Sequence, residues 1–262
     1  MRSGLSEVSP LRAPKYPIES VDNALRLLLM LRETPLLSVQ QASEELGVAP
    51  STAHRILATL LHRGFVEQDP GTRGYRVGPA LTEVGLWALK ELDVRRAARP
   101  HLERLVAELD ETAHLTILRG TRVLFIDGVE SSRILRAAAR VGDNLPAHAT
   151  ASGNAMLATL PSETLLELYP DERLERVTKG TVTSRRTLLR RLAEVRELGY
   201  AVNDGESEDD VVAVAAAILA SDGTSRGAIT VAGPATRFGG EAVLRTASVV
   251  RATAAAVGEA LG

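Results

Sequence analysis

Residues 42–60 read Ala42-Ser43-Glu44-Glu45-Leu46-Gly47-Val48-Ala49-Pro50-Ser51-Thr52-Ala53-His54-Arg55-Ile56-Leu57-Ala58-Thr59-Leu60, and they carry the signals of two helices joined by a tight turn. The first helix starts near Ser38. That serine can cap it, and Gln41 follows three residues later, as in a capping box. Val39, Ala42 and Leu46 make its apolar stripe, and Gly47 ends it in the position where a left-handed residue is favoured. Pro50 opens the second helix as a first-turn residue. Ile56, Leu57, Leu60 and Leu61 are expected to face inward, and Gly64 stops the helix.

Working outward, residues 18–32 hold Val21, Ala24, Leu25, Leu28 and Leu29 at helical spacing, with Ser20 as the expected N-cap. This helix should end before Thr34-Pro35, because the residue before proline disfavours the α region. On the other side, residues 65–69 alternate as a strand, residues 70–74 make a turn, and Tyr75-Arg76-Val77 return. The order within 18–79 is therefore helix, helix, turn, helix, hairpin. A helix-turn-helix lays its second helix in the DNA major groove. Ser51, Thr52, His54, Arg55 and Thr59 then supply short hydroxyls and an arginine able to read guanine through two acceptors. Pro50 at the helix start, Ser38 and Gln40 on the preceding helix, and Arg73 and Arg76 on the hairpin complete the candidate DNA contacts. Residues 49–78 hold four arginines against Glu67 and Asp69.

The whole chain shows little of this charge. It has 262 residues, 31 basic and 33 acidic, a net charge of −2 and no cysteine. Apolar residues at 45% and charged residues at 24% fit a folded globular chain and exclude disorder as its main theme. No apolar run is long enough to span a bilayer, and residues 1–17 have no apolar core of a secretory signal. They read as a flexible arm, and a cytoplasmic protein is expected. The absent cysteine removes disulfides and thiol chemistry together. Residues 1–96 carry 12 basic against 11 acidic side chains and residues 97–262 carry 19 against 22, so the basic character belongs to the first part.

Beyond the hairpin, residues 80–93 read as a linker helix bearing the single tryptophan, Trp87. Residues 94–109 form an amphipathic helix. The period then changes to 2: residues 113–118, 123–127 and 134–138 are strand candidates. Helices are expected over 151–160, 162–168, 188–198 and 241–261, and apolar strands over 211–219 and 227–232 around the turn Ser221-Asp222-Gly223. Residues 94–262 are thus α+β, a sheet flanked by helices. The acidic run 206–210 lacks the glycine and terminal glutamate of a calcium loop and reads as a solvated loop. The five histidines have no metal-ligand spacing, and no Gly-x-Ser-x-Gly elbow is present. Neither a metal nor a cofactor is expected. Two rival readings remain beside DNA binding: a small-molecule enzyme, and a protein-interaction module that uses the helix-turn-helix only as a scaffold.

Several separated motifs resemble the IclR family of bacterial transcriptional regulators. They are residues 21–28, the quoted 42–60, Gly64-Phe65-Val66, and Gly74-Tyr75-Arg76-Val77-Gly78. The likeness continues with Glu111-Thr112-Ala113-His114-Leu115, residues 145–158, Gly199-Tyr200-Ala201 through Asp204, residues 211–218, and Val231-Ala232-Gly233-Pro234 with Arg237. The resemblance implies a winged helix-turn-helix over 18–79, a linker and dimerisation helix over 80–93, and a GAF-like effector-binding domain over 94–262. It implies a roughly palindromic operator, a homodimer or dimer of dimers, and a small organic or aromatic acid whose binding shifts operator affinity or the contact with RNA polymerase. The effector-binding positions it marks are Ala151, Ser152 and Gly153, where free backbone N–H groups suit a carboxylate, then Asn203, Asp204, Ala213, Thr230 and Ala232. Asn154 stands where the family usually has lysine, and Ala213 where relatives often have cysteine. These departures lead us to expect a roomier, more apolar pocket.

Overall fold

The computed structural model describes residues 15–261. Most of the arm expected over 1–17 lies outside the described residues. The chain divides into two compact units, one ending at Glu91 and the other starting at Leu92.

In the first unit α1 (Glu19–Met30), α2 (Val39–Leu46) and α3 (Pro50–His62) precede an antiparallel hairpin of β1 (Val66–Gln68) and β2 (Tyr75–Val77), followed by α4 (Pro79–Lys90). The capping box forms as the spacing requires. The Ser38 hydroxyl accepts from the Gln41 backbone N–H at 3.2 Å, and the Gln41 side chain accepts from the Ser38 N–H at 2.9 Å. Gly47 ends α2 at φ 68°, a left-handed geometry that costs glycine nothing. Leu27, Leu37, Leu57, Val66 and Tyr75 form the core on which the three helices meet. Leu37 and Tyr75 exchange two backbone hydrogen bonds of 2.8 Å, which fastens the α1–α2 connection to the wing.

Three expectations here are corrected. Ser20 does not cap α1: the helix starts at Glu19, and Ile18 occupies the cap position with no side-chain bond. The stripe at Val21, Leu25 and Leu29 is exposed, because α1 turns Asn23, Leu27 and Met30 to the core instead. Leu61 is also exposed, and Ala53 takes the inward position of the first turn of α3.

The second unit begins with α5 (Asp93–Leu109). The sheet strands are β3 (Thr112–Arg119), β4 (Arg122–Val129), β5 (Asn144–Pro146), β6 (Ala201–Asp204), β7 (Val211–Leu219) and β8 (Ser225–Pro234). They form one antiparallel sheet in the order β5-β4-β3-β8-β7-β6. The helices are α6 (Ala151–Leu157), α7 (Ser162–Leu168), α8 (Arg185–Leu198) and α9 (Gly240–Glu259). Strand side chains alternate between faces. Ala213, Ala215 and Ala228 join the core beneath α6 and α8, while α5 and α9 pack on β3, β4, β7 and β8.

Residues 134–138 are not a strand. The Thr112 hydroxyl donates to the Ala137 carbonyl at 2.6 Å, and the Glu130 carboxylate takes the Ala139 N–H at 2.9 Å. Side chains thus satisfy this backbone where a ladder would have done so, and Ile134 and Leu135 stand in solvent. The strand in that region is the three-residue β5, too short and too proline-marked to show a period of 2. The acidic run is not wholly solvated either: Glu206 is buried and receives two hydrogen bonds from Arg191, at 2.6 and 2.5 Å.

Candidate functional site

In α3, Ala53, Leu57 and Leu60 are buried, and this fixes the opposite face outward. Pro50, Ser51, Thr52, His54, Arg55 and Thr59 are all exposed on it. The Thr59 hydroxyl donates to the Arg55 carbonyl at 2.9 Å, but the Arg55 guanidinium has no protein partner among the described residues. An exposed, unpaired arginine beside small hydroxyls is what phosphate and base-edge contacts need.

The neighbouring candidates divide. Ser38 is committed to its capping box, and Gln40 donates to Glu44 across one helical turn at 2.9 Å. Asp69 accepts from the Thr72 hydroxyl at 2.7 Å and the Thr72 N–H at 2.8 Å, bonds that hold its carboxyl below the usual range and shape the turn. Arg73 stands at the tip of that turn with φ 59°. Arg76 is tied to Glu67, directly opposite it in the hairpin, at 2.6 Å.

The second unit holds a partly open cavity of about 40 Å³ between the sheet and the start of α6. Ala151, Ser152, Ala213, Thr230 and Ala232 line it, as the resemblance implied. Gly153, Asn203 and Asp204 do not. A Cβ on Gly153 would stand 2.1 Å from the Ala147 carbonyl oxygen, so glycine is what lets α6 cross that backbone. Its N–H is not free, for it donates to the Thr150 hydroxyl at 3.0 Å. Asn203 is a brace: its amide donates to the Ala149 carbonyl at 2.6 Å and accepts from the Glu206 N–H at 3.2 Å. Asp204 is exposed.

Phe125 and Leu145 fill part of the space, and Arg140, paired with Glu208, stands in its wall. Polar groups stand among the apolar lining residues. His114 is 2% exposed, and its Nε2 lies 3.2 Å from the Ala138 carbonyl. A carbonyl only accepts, so Nε2 carries the proton and Nδ1 is left as an acceptor. Burial pushes the His114 pKa down to about 4, so the ring is neutral near pH 7. His114 Nδ1 and Thr230 Oγ1 are both buried without a partner, and the two residues are directly paired across β3 and β8. His114, Arg140 and Glu208 are among the lining residues that sequence reasoning missed. For His114 the signal was present: it alternates with the core residues Ala113 and Leu115.

A wider groove of about 810 Å³ lies between α9 and the end of β7. Its walls are mostly Ala, Gly and Ser, and among the described residues it holds no unpartnered buried polar atom, so the smaller cavity is the candidate site. Among the described residues no three His, Asp or Glu gather as a metal site, and no helix is long and apolar enough to cross a membrane.

Comparison with known proteins agrees with this division. Residues 20–70 match the IclR helix-turn-helix domain, and residues 86–259 match the C-terminal domain of the bacterial transcriptional regulator IclR. The chain is 34% identical over 221 residues to the HTH-type transcriptional regulator BhcR of Paracoccus denitrificans, covering 84% of this chain and 79% of that one. It superposes on an IclR transcriptional regulator from Alicyclobacillus acidocaldarius with TM-score 0.82 and 31% identity, covering 94% of this chain and all of that one. An IclR homologue from Microbacterium hydrocarbonoxydans, solved in complex with 4-hydroxybenzoate, aligns with TM-score 0.76 and 27% identity over 93% of this chain and 98% of that one. These relatives are regulators, not enzymes.

Proposed function

Since the chain belongs to the IclR family of bacterial transcriptional regulators, we propose that α3 reads a roughly palindromic operator and that the 40 Å³ cavity is the site of a small organic or aromatic acid that controls this binding. The observation that carries the first part is Arg55: its guanidinium is unpaired among the described residues, on a face of α3 that also exposes Ser51, Thr52, His54 and Thr59. The second part is supported by the two partnerless polar groups in the cavity, since buried polar groups are almost always hydrogen-bonded. Dimerisation has its own support. Helix α4 has no buried residue, and Val84, Leu86 and Trp87 are exposed along it, as are Val21, Leu25 and Leu29 on α1. Large apolar surface of this kind marks an interface. We assign residues 18–79 to DNA reading, 80–93 to the linker and dimer contact, and 94–262 to sensing. A homodimer or dimer of dimers would present two α3 helices at half-site spacing. The metabolite would act through operator affinity or through the contact with RNA polymerase.

Selection of bound duplexes from a random DNA library with the full-length protein tests the reading. It should enrich an inverted repeat, and Arg55→Ala should relax the preference at one position in each half. A library that shows no enrichment would falsify operator recognition. For the cavity, Ala232→Val narrows the space without adding a polar group. It should abolish the effect of an active acid on operator binding while leaving unliganded DNA binding intact.

A further inference from the structure

Resting on the reading of the cavity as the effector site, we propose that it takes a hydroxy acid whose carboxylate displaces Glu208 from Arg140 at the mouth and whose hydroxyl bridges His114 and Thr230 at the sheet. The two ends of the cavity differ in chemistry. At the sheet end, His114 and Thr230 sit directly opposite each other on neighbouring antiparallel strands, a placement that brings side chains on one face within about 5 Å. His114 Nδ1 can only accept, because the Ala138 carbonyl holds the tautomer with the proton on Nε2. Thr230 Oγ1 can donate. A ligand hydroxyl satisfies both at once, giving its proton to Nδ1 and receiving the proton of Thr230. A carboxylate there could only accept. It would meet the lone pair of a ring that burial keeps neutral.

At the mouth, the only cation lining the cavity among the described residues is Arg140, on the irregular segment after β4. Its charged neighbours are Glu208, to which it is hydrogen-bonded, and Asp143, 3.8 Å away. Glu208 is half-exposed, with 51% of its side chain open to solvent, while Arg140 shows 26%. Ion pairs so open to water contribute little, so a carboxylate held on the inner side of Arg140 can replace Glu208. The replacement also makes room. The cavity of about 40 Å³ admits only a few atoms, and Arg140 and Glu208 join two different loops across it.

Calorimetric titration of the full-length protein tests this with 3- and 4-hydroxybenzoate and the ω-hydroxy acids of four to six carbons, each beside its primary amide and its acid lacking the hydroxyl. At least one hydroxy acid should bind, with its amide and its deoxy form at least tenfold weaker. Arg140→Gln should weaken the acid at least tenfold and remove its advantage over the amide, and Arg140→Lys should restore part of it. Glu208→Gln should tighten the acid severalfold and leave the amide unchanged. Thr230→Val should remove the preference for the hydroxyl. Arg140 and Glu208 stand at the rim, so their variants report even where a cavity-floor variant fails to fold. Equal binding of acid and amide, an unchanged Arg140→Gln, or no binding by any hydroxy acid overturns the proposal. If hydroxy acids bind and Ala232→Val abolishes that binding while Arg140→Gln leaves it unchanged, the orientation is wrong and the effector site stands. If Ala232→Val leaves the binding unchanged, the site itself falls.

Discussion

On α3 the residues offered to DNA lie within ten consecutive positions, 50–59, and all of them stand in solvent. Around the cavity, His114, Ser152, Thr230 and Ala232 come from two strands and a helix, and all are nearly sealed. The contrast follows from the partners. A polyanion is held by accessible, unpaired charge, which a helix can display without any cost to its core. A small molecule is held by polar groups shut away from water. Until the ligand arrives, each such group left unpaired costs about 1–3 kcal/mol of stability. Substitutions on α3 should therefore change affinity and spare folding, whereas around the cavity those that drive a side chain into backbone should change folding first.

Gly153→Val tests the buried side hardest. Any side chain there meets the Ala147 backbone, and backbone cannot swing aside as the end of a long side chain can. The cost should be about 3 kcal/mol or more, seen as a lowered melting temperature or loss of soluble protein. The same substitution at an exposed α3 position such as Ala58, where only β-propensity opposes the helix, should cost less than about 1 kcal/mol. Equal losses at the two positions would erase the distinction.

Protonation of His114 should come next in size. Its folded pKa of about 4 lies below the ~6.5 of an unfolded chain. Arg140 adds to the depression, while Asp143, Glu130 and the bond to the Ala138 carbonyl oppose it. Between those pH values the unfolded state binds the proton more readily. Stability is thus complete above about pH 6.5 and declines as pH falls towards 4, by on the order of 3 kcal/mol for this group. Thermal melts between pH 7 and 4.5 should show the decline, and His114→Gln should flatten it. His101, shifted in the same direction by burial, remains in both proteins and so cancels from the difference. A variant with the same slope as the parent would remove His114 from the account.

On the exposed side, Arg55→Ala should cost about 1–3 kcal/mol of specific operator affinity if the guanidinium reads a base, with no change in melting temperature. A loss of equal size on random DNA would make it a phosphate contact instead.

The same contrast explains what could be read in advance. The first unit is built from neighbours in sequence: the Ser38–Gln41 box, the Gly47 turn and Pro50 each act within four residues. Its architecture and its outward face were therefore legible. Which stripe of α1 is buried was not, because Leu25 and Leu27 are equally apolar and only the packing of α2 and α3 chooses between them. In the second unit the alternation marked β3 and β4, the apolar runs marked β7 and β8, and the family motifs placed five of the lining residues. The rest depend on contacts distant in sequence. The Arg140–Glu208 pair spans 68 residues, and the pairing of His114 with Thr230 is a matter of register that no local pattern encodes. Asn203 was a candidate ligand contact because the resemblance marks its position. Its neighbours had already used both of its ends.

The smallest effects should come from the wing, where two arginines that look alike in the sequence differ in their neighbours. Arg73 occupies the turn tip, and its side chain has no partner among the described residues. Arg76 lies opposite Glu67 and is bound to it at 2.6 Å, so part of its charge is already answered within the hairpin. A phosphate must compete with that carboxylate. Each phosphate contact contributes about −0.9 to the slope of log affinity against log salt. Arg73→Ala should therefore flatten the slope by nearly that much per subunit, and Arg76→Ala by clearly less. Glu67→Gln, which frees Arg76, should strengthen binding to random duplex DNA and steepen the slope. If Arg76→Ala proves the more damaging of the two, the hairpin pair opens on DNA, and the wing behaves like the cavity mouth rather than like α3.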